Sequence, residues 1–232
     1  RKTFPEQLPP ELLHVAPHEP YAGRAFMLIG IDFDNTIVSY DSLFYKVAAE
    51  QKAVPTTVAR TKLAVRDHLR AIGKEDVWTE MQGYVYGARM AEAEAYPGVI
   101  EFMQWARENS IELCIVSHKT RHPFFGPAYD LHAAARDWIK LNLGAGQSAL
   151  VAEDRVYFEL TKEEKISRVA SVRCDWFIDD LPEILQAPAF PVNVSRMLFD
   201  PDQHHASTAG MQCLSAWAAI QQHFERSCNP GK

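Results

Sequence analysis

Phe26 to Phe33 (FMLIGIDF) is an unbroken apolar run that ends in acidic residues, as a strand buried on both faces of a parallel sheet reads. Runs of the same kind recur at Ile111 to Val116 (IELCIV), at Trp176 to Ile178 within CDWFIDD, and at Val192 to Phe199 (VNVSRMLF), with a weaker one at Val156 to Glu159. Between them the apolar positions shift to helical spacing. Val99, Phe102, Met103 and Ala106 follow Pro97-Gly98, and Ile166, Val169 and Ala170 follow Thr161. Alternating strand and helix predict an α/β fold, a parallel sheet with helices on both faces, in which ligands bind at the carboxyl ends of the strands.

From about Val38 to Tyr96 the strand pattern stops, while Val58, Val65, Leu69 and Ile72 keep helical spacing, with Thr56 or Thr57 placed to cap and Gly73 to stop the helix. Residues 38–96 are therefore expected to form a small all-helical insert over the carboxyl edge of the sheet. Residues 23–37 and 97–232 form the core in this reading. Residues 1–22, with Pro5, Pro9, Pro10, Pro17 and Pro20, read as an extended arm.

Composition narrows the partners. With 232 residues, 47% of them hydrophobic, the chain can bury one substantial core. The 24 basic and 30 acidic residues give a formal charge of −6, and the basic ones are scattered, which argues against nucleic acid while leaving room for a small anion at a local positive site. Cys114, Cys174, Cys213 and Cys228 lie far apart without a CxxC pair and read as buried thiols in a reducing, cytoplasmic setting. No apolar stretch approaches the ~18 residues of a membrane span, and no signal-peptide pattern opens the chain. It starts at Arg1, as a processed chain or one domain of a longer protein would.

The chemistry gathers where the apolar runs end. Ile31-Asp32-Phe33-Asp34-Asn35-Thr36 puts two carboxylates two residues apart at the end of a buried strand. Buried carboxylates shift their pKa or find partners, and two together invite a divalent cation, for which magnesium, with its oxygen ligands, is suited. The plainer reading has one aspartate capping a turn and the other solvated. Asp179-Asp180 ends another short apolar run and precedes Leu181-Pro182-Glu183, a helix start. If both ends share one rim, only a cation makes the cluster tolerable; the rival is Asp180 as a simple N-cap. Ser117, followed by His118 and Lys119, ends IELCIV, and a hydroxyl with adjacent backbone N–H groups there can hold a phosphoryl oxygen, though a turn serine is commoner. Thr161-Lys162-Glu163-Glu164 has capping-box spacing, which puts Lys162 in a first helical turn where a cation is out of place unless it faces an anion; Lys165 is the rival.

Asp32-Phe33-Asp34-Asn35-Thr36, Ser117, Lys162 or Lys165, and Asp179-Asp180, in that order, resemble the four motifs of the haloacid dehalogenase superfamily. The resemblance implies a Rossmann-like three-layer core, a required Mg2+ and a mobile helical cap of the C1 type. It further implies that Asp32 attacks phosphorus and that Asp34 protonates the leaving oxygen and later activates water. Ser117 and His118, with Lys162 or Lys165, would hold the phosphoryl group. Asp32, the Asp34 backbone carbonyl and Asp179 would hold the metal, with Asp180 supporting them from outside its ligand set. Aspartate at the second position favours ester hydrolysis over dehalogenation, because expelling an alkoxide benefits from a general acid and expelling halide needs none.

The expected activity is hydrolysis of a small phosphorylated metabolite, of the sugar phosphate or nucleotide class. Two alternatives stand beside it: a phosphotransferase or mutase, and a non-catalytic binding domain. Tyr84, Tyr86 and Arg89, in the insert's QGYVYGAR segment, are candidate substrate contacts, against the plainer reading of tyrosines packing the insert and a solvated arginine.

Overall fold

The computed structural model describes residues 26–205 and 210–228; the arm expected at residues 1–22 lies outside them. Strands β1 (Leu28–Ile31), β4 (Glu112–His118), β5 (Val156–Glu159), β6 (Trp176–Asp179), β7 (Ser195–Phe199) and β8 (Gln212–Leu214) form one parallel sheet in the order β5-β4-β1-β6-β7-β8. Parallel neighbours need crossovers. Helices α4 (Val99–Glu108), α5 (Leu131–Leu143), α6 (Lys162–Val172), α7 (Pro182–Leu185) and α8 (Trp217–Cys228) lie on the two faces.

Side-chain alternation divides the core. Ile29, Ile31 and Ile115 pack with Phe102 of α4, Trp138 of α5, and Trp217 and Phe224 of α8, whereas Leu28, Cys114 and Val116 pack with Ile166 and Val169 of α6 and Ile184 of α7. The central strand is tightly fitted at Gly30. A Cβ there would come 2.6 Å from Cys174 Sγ and 2.7 Å from the Phe177 ring, so glycine is required by the close approach of β6 and its lead-in.

Between β2 (Val38–Ser39) and β3 (Glu94–Ala95), a short antiparallel pair, run the helices α1 (Asp41–Glu50), α2 (Lys62–Ala71) and α3 (Glu75–Tyr86). Two indoles tie the ends of this segment to the core: Trp217 Nε1 donates to Thr36 O at 3.1 Å and Trp138 Nε1 donates to Ala93 O at 2.8 Å.

Local differences from the sequence reading have local causes. The helix expected to be capped by Thr56 or Thr57 starts later, because residues after Pro55 form turns and Thr61 accepts the Ala64 N–H at 3.1 Å. The run from Val192 becomes strand only at Ser195, since a turn from Pro191 to Val194 leaves Val192 91% exposed. β2, β3 and β8 are too short to show alternation. The Thr161-to-Glu164 capping box is present in full and opens α6.

Gly30→Val is expected to destabilise the fold by about 1–3 kcal/mol through overpacking, measured by urea unfolding; a change below ~0.5 kcal/mol would contradict the tight approach.

Candidate active site

The parallel register decides which side chains meet. Ile31 lies opposite Ile178, and the Asp32 N–H still donates to Ile178 O at 2.9 Å, which sets Asp32 beside Asp179, the last residue of β6. The chain then turns at Asn35, whose φ of 59° is one that a short amide side chain tolerates. One carboxylate oxygen from each of Asp32, Asp179 and Asp180 lies within 4.8 Å of the others. Thr36 Oγ1 sits 3.4 Å from Asp32 and 3.3 Å from Asp180, tying the two strand ends together.

Lys165, wholly buried, supplies the counter-charge. Its Nζ is 2.7 Å from Asp32 Oδ1 and 2.6 Å from Asp179 Oδ2. Three carboxylates around one ammonium still leave negative charge in excess. Burial, opposed by Lys165 and reinforced by Asp32, pushes Asp179 up to about 7. Asp180 is raised well above the ordinary carboxylate value by burial and by its acidic neighbours Asp32 and Asp179. A site short of positive charge, whose three carboxylates offer only oxygen donors, fits a hard cation.

The Asp34 carboxylate is held apart from this cluster. Lys119 Nζ donates to both of its oxygens at 2.7 and 2.9 Å, and Tyr40 OH donates to Oδ1 at 2.5 Å. Burial alone would raise its pKa; the Lys119 ammonium, with the hydrogen bonds from Lys119 and Tyr40, outweighs that and holds the carboxyl below its ordinary range. His132 Nε2 contacts Lys119 O at 2.7 Å and so braces this residue from α5.

A cavity of about 280 Å³ opens between these groups, walled by Asp32, Asp34, Ser117, His118, Lys119 and Tyr86 among others. Ser117 is fully buried, and its Oγ has no hydrogen-bond partner among the described residues. A buried hydroxyl left unpaired is costly unless a ligand completes it.

The structure brings Asp32, Asp34, Ser117, His118, Asp179, Asp180 and Tyr86 to one rim and sends others elsewhere. Lys162, the first choice of the sequence reading, is half-exposed and pairs with Glu183 at 3.0 Å; Lys165, one turn deeper in α6, occupies the place between Asp32 and Asp179. Both lysines lie within one helical turn of Ile166, so periodicity alone did not separate them. Arg89 is also displaced from the expected substrate role: it pairs with Glu50 at 2.6 Å and with Glu92, and its charge is spent on the insert's own surface. Tyr84 packs against the Tyr129 ring at 6.4 Å and beneath Arg89.

Lys119, Tyr40 and Lys62 were missed as site residues. A signal existed for Lys119, since strand parity puts it on the same side as Ser117, with His118 on the other. Tyr40 and Lys62 had none, because their positions depend on how the insert folds back.

No protein-family model matches the sequence, and no curated protein matches it either. Solved structures do resemble it. A haloacid dehalogenase (HAD) family hydrolase from Deinococcus radiodurans, with bound phosphate and sodium, is 16% identical with a TM-score of 0.52, over 88% of this chain and 96% of that one. The HAD-hydrolase YfnB from Bacillus subtilis, bound to magnesium, is 12% identical with a TM-score of 0.52, over 86% and 99%. A dehalogenase is 11% identical with a TM-score of 0.51, over 86% and 97%. The chain has the haloacid dehalogenase-like fold, a parallel α/β sheet with Rossmann-like layering. The structures that share it include HAD hydrolases and a dehalogenase, so the fold leaves the reaction open. No helix among the described residues is long and apolar enough to cross a membrane.

Replacing Lys165 by Met is expected to destabilise the metal-free protein by about 3–5 kcal/mol, because it strands buried carboxylates. Lys162→Met should change stability by no more than ~1 kcal/mol, since the Lys162–Glu183 pair is exposed. Equal effects in chemical denaturation would contradict the distinction between the two lysines.

Proposed function

We propose that the chain is a magnesium-dependent phosphohydrolase that transfers a phosphoryl group from a small ester to Asp32 and then to water. The observation that carries this reading is the rim itself, where the carboxylates of Asp32, Asp179 and Asp180 converge, the first two on Lys165, with the unpaired hydroxyl of Ser117 on the same rim. Asp32, the Asp34 backbone carbonyl and Asp179 hold the metal in this reading, and Asp180 supports them. When bound, the cation neutralises phosphoryl oxygens and so makes their approach to a carboxylate nucleophile affordable.

The chain's own residues carry the steps. Asp32 attacks phosphorus while the bond to the ester oxygen breaks. Lys165 fixes Asp32 by holding one of its oxygens, and Ser117 donates to a phosphoryl oxygen. Asp34 gives a proton to the departing oxygen, then takes one from the water that cleaves the Asp32 acyl phosphate. With Lys119 on it, Asp34 rests as a carboxylate; the incoming phosphoryl charge draws Lys119 away, and Asp34 then takes up a proton from solvent, which it holds until it passes it to the departing oxygen. A dehalogenase needs no such acid, and the presence of the Asp34 carboxyl on the cavity wall supports the phosphatase reading. Helices α1 to α3 act as a C1-type cap whose closure excludes bulk water.

Asp32→Asn is expected to reduce phosphate release from p-nitrophenyl phosphate by at least ~10³-fold with an unchanged circular dichroism spectrum; retained activity would remove the nucleophile assignment. EDTA should silence the wild type, and Mg2+ should restore it and raise Tm. Turnover indifferent to chelation would overturn the metal requirement.

A further inference from the structure

Two lysines line the cavity, and they differ in one respect. Lys119 is paired with Asp34, while Lys62 forms no ion pair with any described carboxylate. Lys62 nonetheless turns inward. Its Nζ lies 3.5 Å from Asn35 Oδ1 and 6.0, 5.7 and 5.6 Å from the ring centroids of Tyr40, Phe44 and Tyr86. It lines both the cavity and an adjoining groove of about 630 Å³, which also shares Asn35 and Asp180 with the cavity.

The helix end by itself is a poor place for this cation. Lys62 is the first residue of α2, directly after the cap Thr61, at the end where the helix dipole is positive and cations are disfavoured. The helix end itself is satisfied: the Lys62 N–H donates to Asp41 at 2.8 Å and the Ala64 N–H donates to Thr61 at 3.1 Å. What remains directed at the cavity is the ammonium. Burial works against its charge, and the Tyr86 side chain, by a hydrogen bond, followed by Asp34 and Asp180 from a distance, favours it; the two carboxylates are themselves engaged by Lys119 and Thr36, so no described carboxylate is left to pair with it. Contacts with ring faces return only part of the hydration an ammonium gives up on burial. If Lys62 served only to brace the rings of α1 and α3, a methionine would do so without a charge to desolvate.

We infer that Lys62 receives a second anionic group, a carboxylate or a further phosphate, carried by the leaving alcohol. The site thus selects phosphomonoesters whose alcohol is itself negatively charged. The inference rests on the phosphatase reading and narrows its substrate class. Ser117 and Lys165 serve the phosphoryl end from β4 and α6, and Lys62 reaches the same cavity from the insert. An anion at Lys62 would also bond the insert to the core, linking recognition to closure.

The test compares matched esters with the magnesium-loaded full chain. 3-Phosphoglycerate and glycerol 3-phosphate differ by a carboxylate in place of a hydroxymethyl group, and glucose 1,6-bisphosphate and glucose 6-phosphate differ by the second phosphate. Wild type is expected to favour the charged member of one pair by roughly 10- to 100-fold in kcat/KM, the range of one charged hydrogen bond. Which pair responds identifies the anion. Lys62→Met should lower kcat/KM at least about ten times further for the charged member than for the neutral one, mainly through KM, and Lys62→Arg should restore most of the preference. No preference in wild type, or an equal fall for both members in Lys62→Met, would overturn the inference. If no ester, p-nitrophenyl phosphate included, releases phosphate, the phosphatase reading is what fails. The anion site is then read by thermal shift with 3-phosphoglycerate and glucose 1,6-bisphosphate: stabilisation of wild type but not of Lys62→Met retains it, and equal shifts or none overturn it.

Discussion

A single ammonium group enclosed between carboxylates from two strand ends is the constraint around which this molecule is arranged. Lys165 touches Asp32 and Asp179 at 2.7 and 2.6 Å and is sealed from solvent. Such an arrangement is costly to desolvate and stands only where the surroundings fix it. The β1–β6 register fixes the two aspartates, and the capping box at Thr161 fixes the helix that carries the lysine. Because the carboxylates outnumber the ammonium, the cluster stays electron-rich, and that excess is what a divalent cation and a phosphoryl group would together exploit.

The fold explains why the groups meet although they are far apart in sequence. A central β1 flanked by β4 and β6 brings the ends of three strands side by side, delivering Asp32, Ser117 and Asp179 to one rim. The indole of Trp217 holds the turn that follows Asp34, so the remote C-terminal helix stabilises the geometry of the rim. The helical segment is attached at that same turn, so Lys62 lines the cavity and the buried Tyr40 reaches Asp34.

Much of this was legible in the sequence, for identifiable reasons. Strands buried on both faces leave continuous apolar runs, so β1, β4 and β6 could be read, and the acidic residues at two of their ends stood out against the apolar background. The capping box was legible because it is a contact between near neighbours. Lys165 was not separable from Lys162, since the choice depends on how deeply α6 lies against the sheet, which is a tertiary property. Lys119 was noticed only as a neighbour of Ser117, and its pairing with Asp34 spans 85 residues. Tyr40 and Lys62 carry no local signature at all. The misplacement of the α2 cap arose because several threonines compete in one segment and only packing chooses Thr61.

The proposed reaction requires Asp32 to become covalently phosphorylated. Rapid acid quench during turnover, reduction of any acyl phosphate with borohydride and peptide mass spectrometry would locate the modified residue. Conversion of Asp32, and of no other residue, to homoserine is the expected result. Labelling at another side chain such as Asp34, or steady turnover with no labelled residue, would contradict it.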